Sequence, residues 1–209
     1  MKRRGWVRTG TVLCLLGLIL VAGAAGANVR ARTATPVPQD YDTNTRMDVN
    51  NLDMFVTNVG SFAYDITTGN PGLVFPKGTS KAAIYAAGIW IGARVNGQVM
   101  TSVAEYSNTY GPGPILPNGR PADPANTRYQ AYKISLGDDA TNPDYANWPV
   151  ADGAPVGPQG QPGMIGDQTI WSVFNDSTRS ANNAASAAGM GLEIQQTTFA
   201  FNRTGSLGN

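Results

Sequence analysis

The sequence predicts an all-β fold, an antiparallel sandwich or jelly-roll-like arrangement with long Pro/Gly loops and little helix. Three observations predict it. Short runs rich in β-branched and aromatic residues are punctuated by turn residues rather than by helical periodicity. One Asn-Gly pair, Asn96-Gly97, lies between two such runs. No internal repeat and no amphipathic stretch of ordinary helix length interrupts the pattern.

The N-terminal residues stand apart from that fold. Lys2, Arg3, Arg4 and Arg8 precede the apolar run 11–24, and Ala25-Gly26-Ala27 places small residues where a signal peptidase needs them. Residues 1–27 therefore read as a secretory signal peptide cleaved after Ala27. The apolar run is short for a membrane span, which takes about 20 residues. Arg3-Arg4 is followed by Trp6-Val7, a poor fit to a twin-arginine signal, and Cys14 lies too early in the run for a lipoprotein anchor. Residues 28–45, with Pro36 and Pro38, read as a linker or N-terminal arm. Residues 46–209 read as a β-rich extracellular module.

Within that module, 49–65 gives two short extended runs hinged on Val59-Gly60, and 68–81 is turn-rich. The stretch 87–106 is a hairpin, because both turn positions of an Asn-Gly connection require positive φ. Pairing outward from the turn sets Val95 opposite Gln98, Ala93 opposite Met100, Ile91 opposite Ser102, Ile89 opposite Ala104 and Ala87 opposite Tyr106. Gly88 and Gly92 flank Trp90 on its own face and leave room for the indole or for another backbone. Five prolines in 111–124 predict an exposed loop. Residues 127–136 alternate, with Tyr132, Ile134 and Leu136 on one face. A helical turn is expected after Asn142-Pro143, a second Pro/Gly loop over 150–166, and strands over 167–176 and 191–202. The chain's last residues follow that strand directly. The reading is a module truncated at its C-terminal end, or one whose missing strand a neighbour supplies.

The quoted strands carry a resemblance. "NNLDMFVTNVGSFAYD", "GLVFPKGTSKAAIYAAGIWIGARVNGQV", "NPDYANWP" and "GDQTIWSVFND" resemble the N-terminal region of large secreted, functionally uncharacterised proteins of environmental Gram-negative bacteria. Such proteins often carry fibronectin-like modules or a C-terminal type IX sorting domain. The resemblance spans roughly residues 45–209. It implies an extracellular setting and a longer parent protein, and it supplies no catalytic residue.

Composition narrows the chemistry. The chain has no histidine, which excludes Ser-His-Asp and Cys-His catalysis and histidine metal sites. Its one cysteine, Cys14, leaves with the signal, so no disulfide, thiolate or structural zinc site remains. Removal of 1–27 leaves 11 basic and 14 acidic residues, a balance without the basic patch of a nucleic-acid binder. There is no phosphate loop and no dinucleotide fingerprint.

Carboxylates are what is left. Only two glutamates occur, Glu105 and Glu193. Glu105 near Trp90 is the one neighbourhood suggesting a carboxylate-based hydrolase, which would need a second acid across a cleft. The blander reading packs Trp90 in the sandwich. Calcium is the better fit, since hard oxygen ligands suit Ca2+. Asp138, Asp139, Asn142 and Asp144 form the favoured cluster. Asp40, Asp42, Asn44 and Asp48 echo the first half of a helical-hand loop but lack its glycine (Thr45) and its final acid (Asn51). Turn chemistry is the competing account of both clusters. Tyr145 and Trp148 sit in a loop and are the candidate stacking platform for a sugar, whereas Trp90 and Trp171 sit in strands and are expected to pack. The triplets at 175–177 and 202–204 match an N-glycan acceptor pattern, and Asp176-Ser177-Thr178 resembles an O-glycan acceptor.

The expected function is a non-enzymatic extracellular β-module of a cell-surface, adhesive or filament-forming protein. Its expected partners are other extracellular modules, or copies of itself joined by strand addition. The alternative is a carbohydrate-binding module of a secreted polysaccharide-acting protein. No nucleic acid and no membrane span after signal cleavage are expected.

Overall fold

The computed structural model describes residues 41–104, 109–178 and 189–203. The segment read as a signal peptide, most of the segment read as an arm, and Glu105 lie outside the described residues. The protein is all-β with antiparallel sheets, as its turn-punctuated sequence predicts.

The first sheet is built on β2 (Asp53–Thr57). β1 (Asn44–Met47) pairs along it from Asn44 opposite Thr57 to Met47 opposite Met54. This strand begins two residues inside the segment read as an arm. β3 (Ser61–Phe62) and β4 (Leu73–Val74) also pair with β2. β5 (Ala82–Ile84) extends the sheet from β4, and β6 (Ala87–Gly88) extends it from β3. The turn after β2 falls where Val59-Gly60 predicts it. Gly60 has φ +79°, and a Cβ there would stand 2.9 Å from the Phe174 ring, so conformation and space both require glycine.

The second sheet is built on β11 (Gln168–Asn175). β12 (Glu193–Ala200) runs beside it for eight residues, from Gln168 opposite Ala200 to Asn175 opposite Glu193. β10 (Tyr132–Ser135) pairs with its first half and β9 (Gly111–Pro112) with its end. β9 corrects the expectation that 111–124 is loop throughout: Gly111 and Pro112 are buried against Phe174 and Asn175. A proline fits there because the pairing is only two residues long and ends at once.

Every residue of β11 is buried, since both faces of its sheet are covered. On one face Ile170 packs with Ala131, Met47 and Val56, joining the two sheets. On the other, Trp171 and Val173 pack with Tyr132, Ile134, Tyr129, Trp148 and Ala154. A layer of loops supplies that second cover. Asn142 caps the one-turn helix α1 (Pro143–Ala146) by accepting from the Asp144 N–H, with Pro143 at the first helical position. An ion pair of 2.6 Å between Arg128 and Asp152 ties two 3-10 turns together.

β7 (Trp90–Val95) and β8 (Gln98–Val103) form the hairpin, a two-stranded sheet of its own. Its register runs from Val95 opposite Gln98 to Trp90 opposite Val103, as counting outward from the turn predicts. Asn96 (φ 48°) and Gly97 (φ 82°) both take positive φ. The expectation for Trp90 is overturned. It is 63% exposed and Val99, on the same face, is 69% exposed, although Val103, directly across from Trp90, is buried at 5%. Of the two glycines flanking Trp90, only Gly88 marks a close backbone approach. A Cβ at Gly88 would stand 1.9 Å from the Ala104 carbonyl oxygen, whereas one at Gly92 meets nothing nearer than 3.9 Å. Gly88→Ala is therefore expected to destabilise the fold by about 1–3 kcal/mol and Gly92→Ala by well under that, measured by urea unfolding of the two variants.

Candidate functional site

Two features lie at the end of the second sheet where β11 begins. The first is an open groove of about 500 Å3. Ile134 and Ser135 of β10, Asp138 and Tyr145 form one side, and the Pro155–Ile165 loop forms the other. The loop reverses on itself through hydrogen bonds from Gly157 to Gln161 and from Gly163 to Pro155. Its wall is largely apolar, with Val156, Met164 and Ile165, and Gln161 adds a polar group.

The second feature is β12 itself. In the sheet order it is the terminal strand, and among the described residues nothing pairs with its outer edge. The strand carries one charge, Glu193, and no proline or lysine. Phe199 and Phe201, 47% and 40% exposed, meet edge to face at 6.0 Å. The Arg203 guanidinium lies 4.8 Å from the Phe201 ring centre. Natural sheet edges are usually blunted by charge, proline or bulges, and this one is not.

The predicted site residues divide. Asp138 and Tyr145 line the groove. Trp148 does not, and its reading as a sugar-stacking residue is corrected. It is 8% exposed, its Nε1–H donates to the Pro155 carbonyl at 2.8 Å, and Tyr132 and Trp171 pack against it. A buried indole with its donor satisfied anchors a loop. Only Tyr145 of the pair retains access.

The four calcium candidates are likewise not brought to one point. Asp138 accepts from the Ser135 N–H and from Asn142 Nδ2, both at 2.7 Å. Asp139 accepts from the Thr141 N–H and hydroxyl, and these bonds hold its carboxyl below the usual aspartate value. Asn142 is the helix cap, and Asp144 takes Gln130 Nε2 and the Lys133 N–H on its two oxygens. Asp138, Asp139 and Asn142 bond donors within their own turn, as turn chemistry requires, while Asp144 ties the turn back to Gln130 and Lys133. Among the described residues no three acidic side chains are grouped as metal ligands. In the other cluster, Asp40 lies outside the described residues. Asp48 accepts from Gln168 and pairs with Lys133 at 3.4 Å. Burial pushes its carboxyl up, but the bond from Gln168 and the charges of Lys133 and Lys77 together bring it below the ordinary value.

One constellation escaped the sequence reading. Asp176 is buried beyond the end of β11 and accepts from the Ser102 hydroxyl at 2.7 Å, the Met190 N–H at 2.7 Å and the Leu192 N–H at 2.8 Å. Beside it, Asn175 is fully buried. Its Nδ2 donates to the Gly113 carbonyl, and its Oδ1 accepts from Ser177 and Thr178. An amide used in this way cannot serve as a glycan acceptor, so the 175–177 triplet is a structural knot. Tyr110 completes it, donating to the Ser102 carbonyl at 3.0 Å.

Burial, then the nearby Asp176 charge, pushes the Tyr110 phenol up to about 12. Between the unfolded value of about 10 and that folded value, the native state keeps a proton the unfolded state has lost. Stability is therefore full below about pH 10 and falls as pH rises toward 12. Tyr110→Phe is expected to be less stable at pH 8 but to lose less stability between pH 9 and pH 11, read by unfolding at each pH.

Comparison with protein families, with curated proteins and with solved structures finds no match to this chain. No helix among the described residues is long and apolar enough to cross a membrane.

Proposed function

We propose that the chain is a non-enzymatic extracellular β-module of a cell-surface, adhesive or filament-forming protein, joined to its neighbours through the free edge of the second sheet. One observation carries the reading: β12 offers an eight-residue edge with a single charge and no blunting device. An added strand there gains main-chain hydrogen bonds along its length, while side chains on alternate positions supply selectivity. The signal-like N-terminus and the resemblance to large secreted bacterial proteins support an extracellular setting. The test is immunogold electron microscopy of producing cells. Label on the cell surface or on extracellular material is the expected result, and label confined to the cell interior overturns it.

A second reading has its own observation. The groove brings Tyr145 together with Asp138 and Gln161, a half-buried ring with polar groups beside it, which is the make-up of a polysaccharide subsite. Retention on a glycan array, lost in Tyr145→Ala, would favour it.

A further inference from the structure

The outer edge of β12 has a direction and a charge pattern, and both bear on what pairs with it. The Asp176 N–H donates to the Leu192 carbonyl, which points that carbonyl toward β11. Backbone direction alternates along an antiparallel strand, so Ile194, Gln196, Thr198 and Ala200 also turn their backbone groups to β11. Glu193, Gln195, Thr197 and Phe199 therefore present their N–H and C=O groups to the open side. Their side chains share one face of the sheet, the face carrying Trp171 and Val173.

The only charged side chains on this strand and its described extension lie at opposite ends and have opposite sign, Glu193 and Arg203. Within the chain the Glu193 carboxylate accepts from the Ile115 N–H at 2.8 Å and from Gln195 Nε2 at 3.1 Å, and Arg203 lies over the Phe201 ring, so pairing has to re-aim both side chains across the edge. We propose that β12 pairs with β12 of a second copy of this chain, antiparallel about a two-fold axis near Thr198, so that the two second sheets become one continuous sheet. A two-fold pairing must set outward-facing residues opposite outward-facing residues, which leaves few registers. One of them places Thr197 opposite Phe199, Gln195 opposite Phe201 and Glu193 opposite Arg203. It matches both charges twice, once at each end, and covers both exposed phenylalanines. Sliding by two residues either way sets Glu193 opposite Phe201, or carries it beyond Arg203, and leaves the charges unmatched. Opposite charges directly across a strand pair are favourable and like charges are not. The edge is thus self-complementary in one register.

This inference rests on the assembly reading above and names its first partner. It can fail while surface labelling succeeds, because self-pairing is measured in solution on the secreted protein alone. Sedimentation velocity across the micromolar range is expected to show a monomer–dimer equilibrium. Glu193→Arg and Arg203→Glu, each of which brings like charges together, are expected to weaken the dimer by at least about tenfold. The double variant E193R/R203E restores the pairing and is expected to recover most of the loss. Amide exchange gives an independent readout: the N–H groups of Gln195, Thr197 and Phe199 gain protection as concentration rises, while those of Gln196 and Thr198 are protected throughout. A protein monomeric at every concentration overturns the proposal. So do a double variant no better than the single ones, and odd-numbered amides protected at high dilution, which would mean that another part of the same chain covers the edge.

Discussion

Trp171→Ala is expected to lower the unfolding free energy by about 3–5 kcal/mol, enough to unfold a marginal domain. The indole is 2% exposed at the middle of β11. Tyr132 stands across from it on β10, Thr197 on β12, and the Trp148 ring centre lies 6.5 Å away in the loop layer. Truncation removes the apolar area and leaves a hole that neighbours on three sides cannot close, since each is fixed by its own pairing or hydrogen bond. Trp90→Ala is the matched control. The same residue type, also in a strand, is expected to change stability by less than about 0.5 kcal/mol because its side chain is mostly exposed. Urea unfolding followed by circular dichroism separates the two, and equal losses would contradict the burial described.

Asp176→Ala is expected to cost about 3 kcal/mol or more. The loss does not come from removing a charge as such. It comes from the Ser102 hydroxyl and the Met190 and Leu192 N–H groups, which keep their need for an acceptor in a site closed to water. Asp176→Asn is expected to be nearly as harmful, because one carboxylate oxygen becomes an N–H facing other donors. Ser102→Ala removes one donor along with its bond and is expected to cost about 1 kcal/mol. That ordering, Ala and Asn together and Ser102→Ala far milder, is read from the same urea experiment. A mild Asp176→Asn would show that the donors find other acceptors.

How far the sequence spoke for the structure depended on the range of the physics involved. The hairpin register was legible to the residue, because Asn96-Gly97 needs positive φ at both positions and the pairing then follows by counting. The helical turn after Asn142-Pro143 was legible for the same reason, a local cap with a local donor. β11 announced itself by a run of β-formers, although its burial on both faces did not. The fates of the tryptophans were not legible. Trp90 and Trp171 both sit in strands, and only the covering elements, remote in sequence, decide that one is bare and the other enclosed. Trp148 looked like a loop aromatic free to stack on a ligand, but the carbonyl that takes its indole N–H becomes available only when the Pro155 loop folds over it. The aspartates of 138–144 read equally as calcium ligands or as turn formers until their donors were placed. Asp176 read only as part of an O-glycan-like triplet, and nothing marked it as a buried acceptor, since Ser102 lies 74 positions away.

The position of β11 also governs how the molecule reaches this state. β9, β10 and β12 all pair with that one strand, which comes late in the chain and after two of them. The second sheet cannot start to assemble until residues 168–175 have left the ribosome, and each pairing then closes a long loop before any contact repays it. Such a topology makes for slow folding of the second sheet, in which β9 and β10 wait unpaired until β11 is made. For a chain whose N-terminus reads as an export signal, that delay would be an asset: a translocation channel would have time to receive these segments before the central strand locks them.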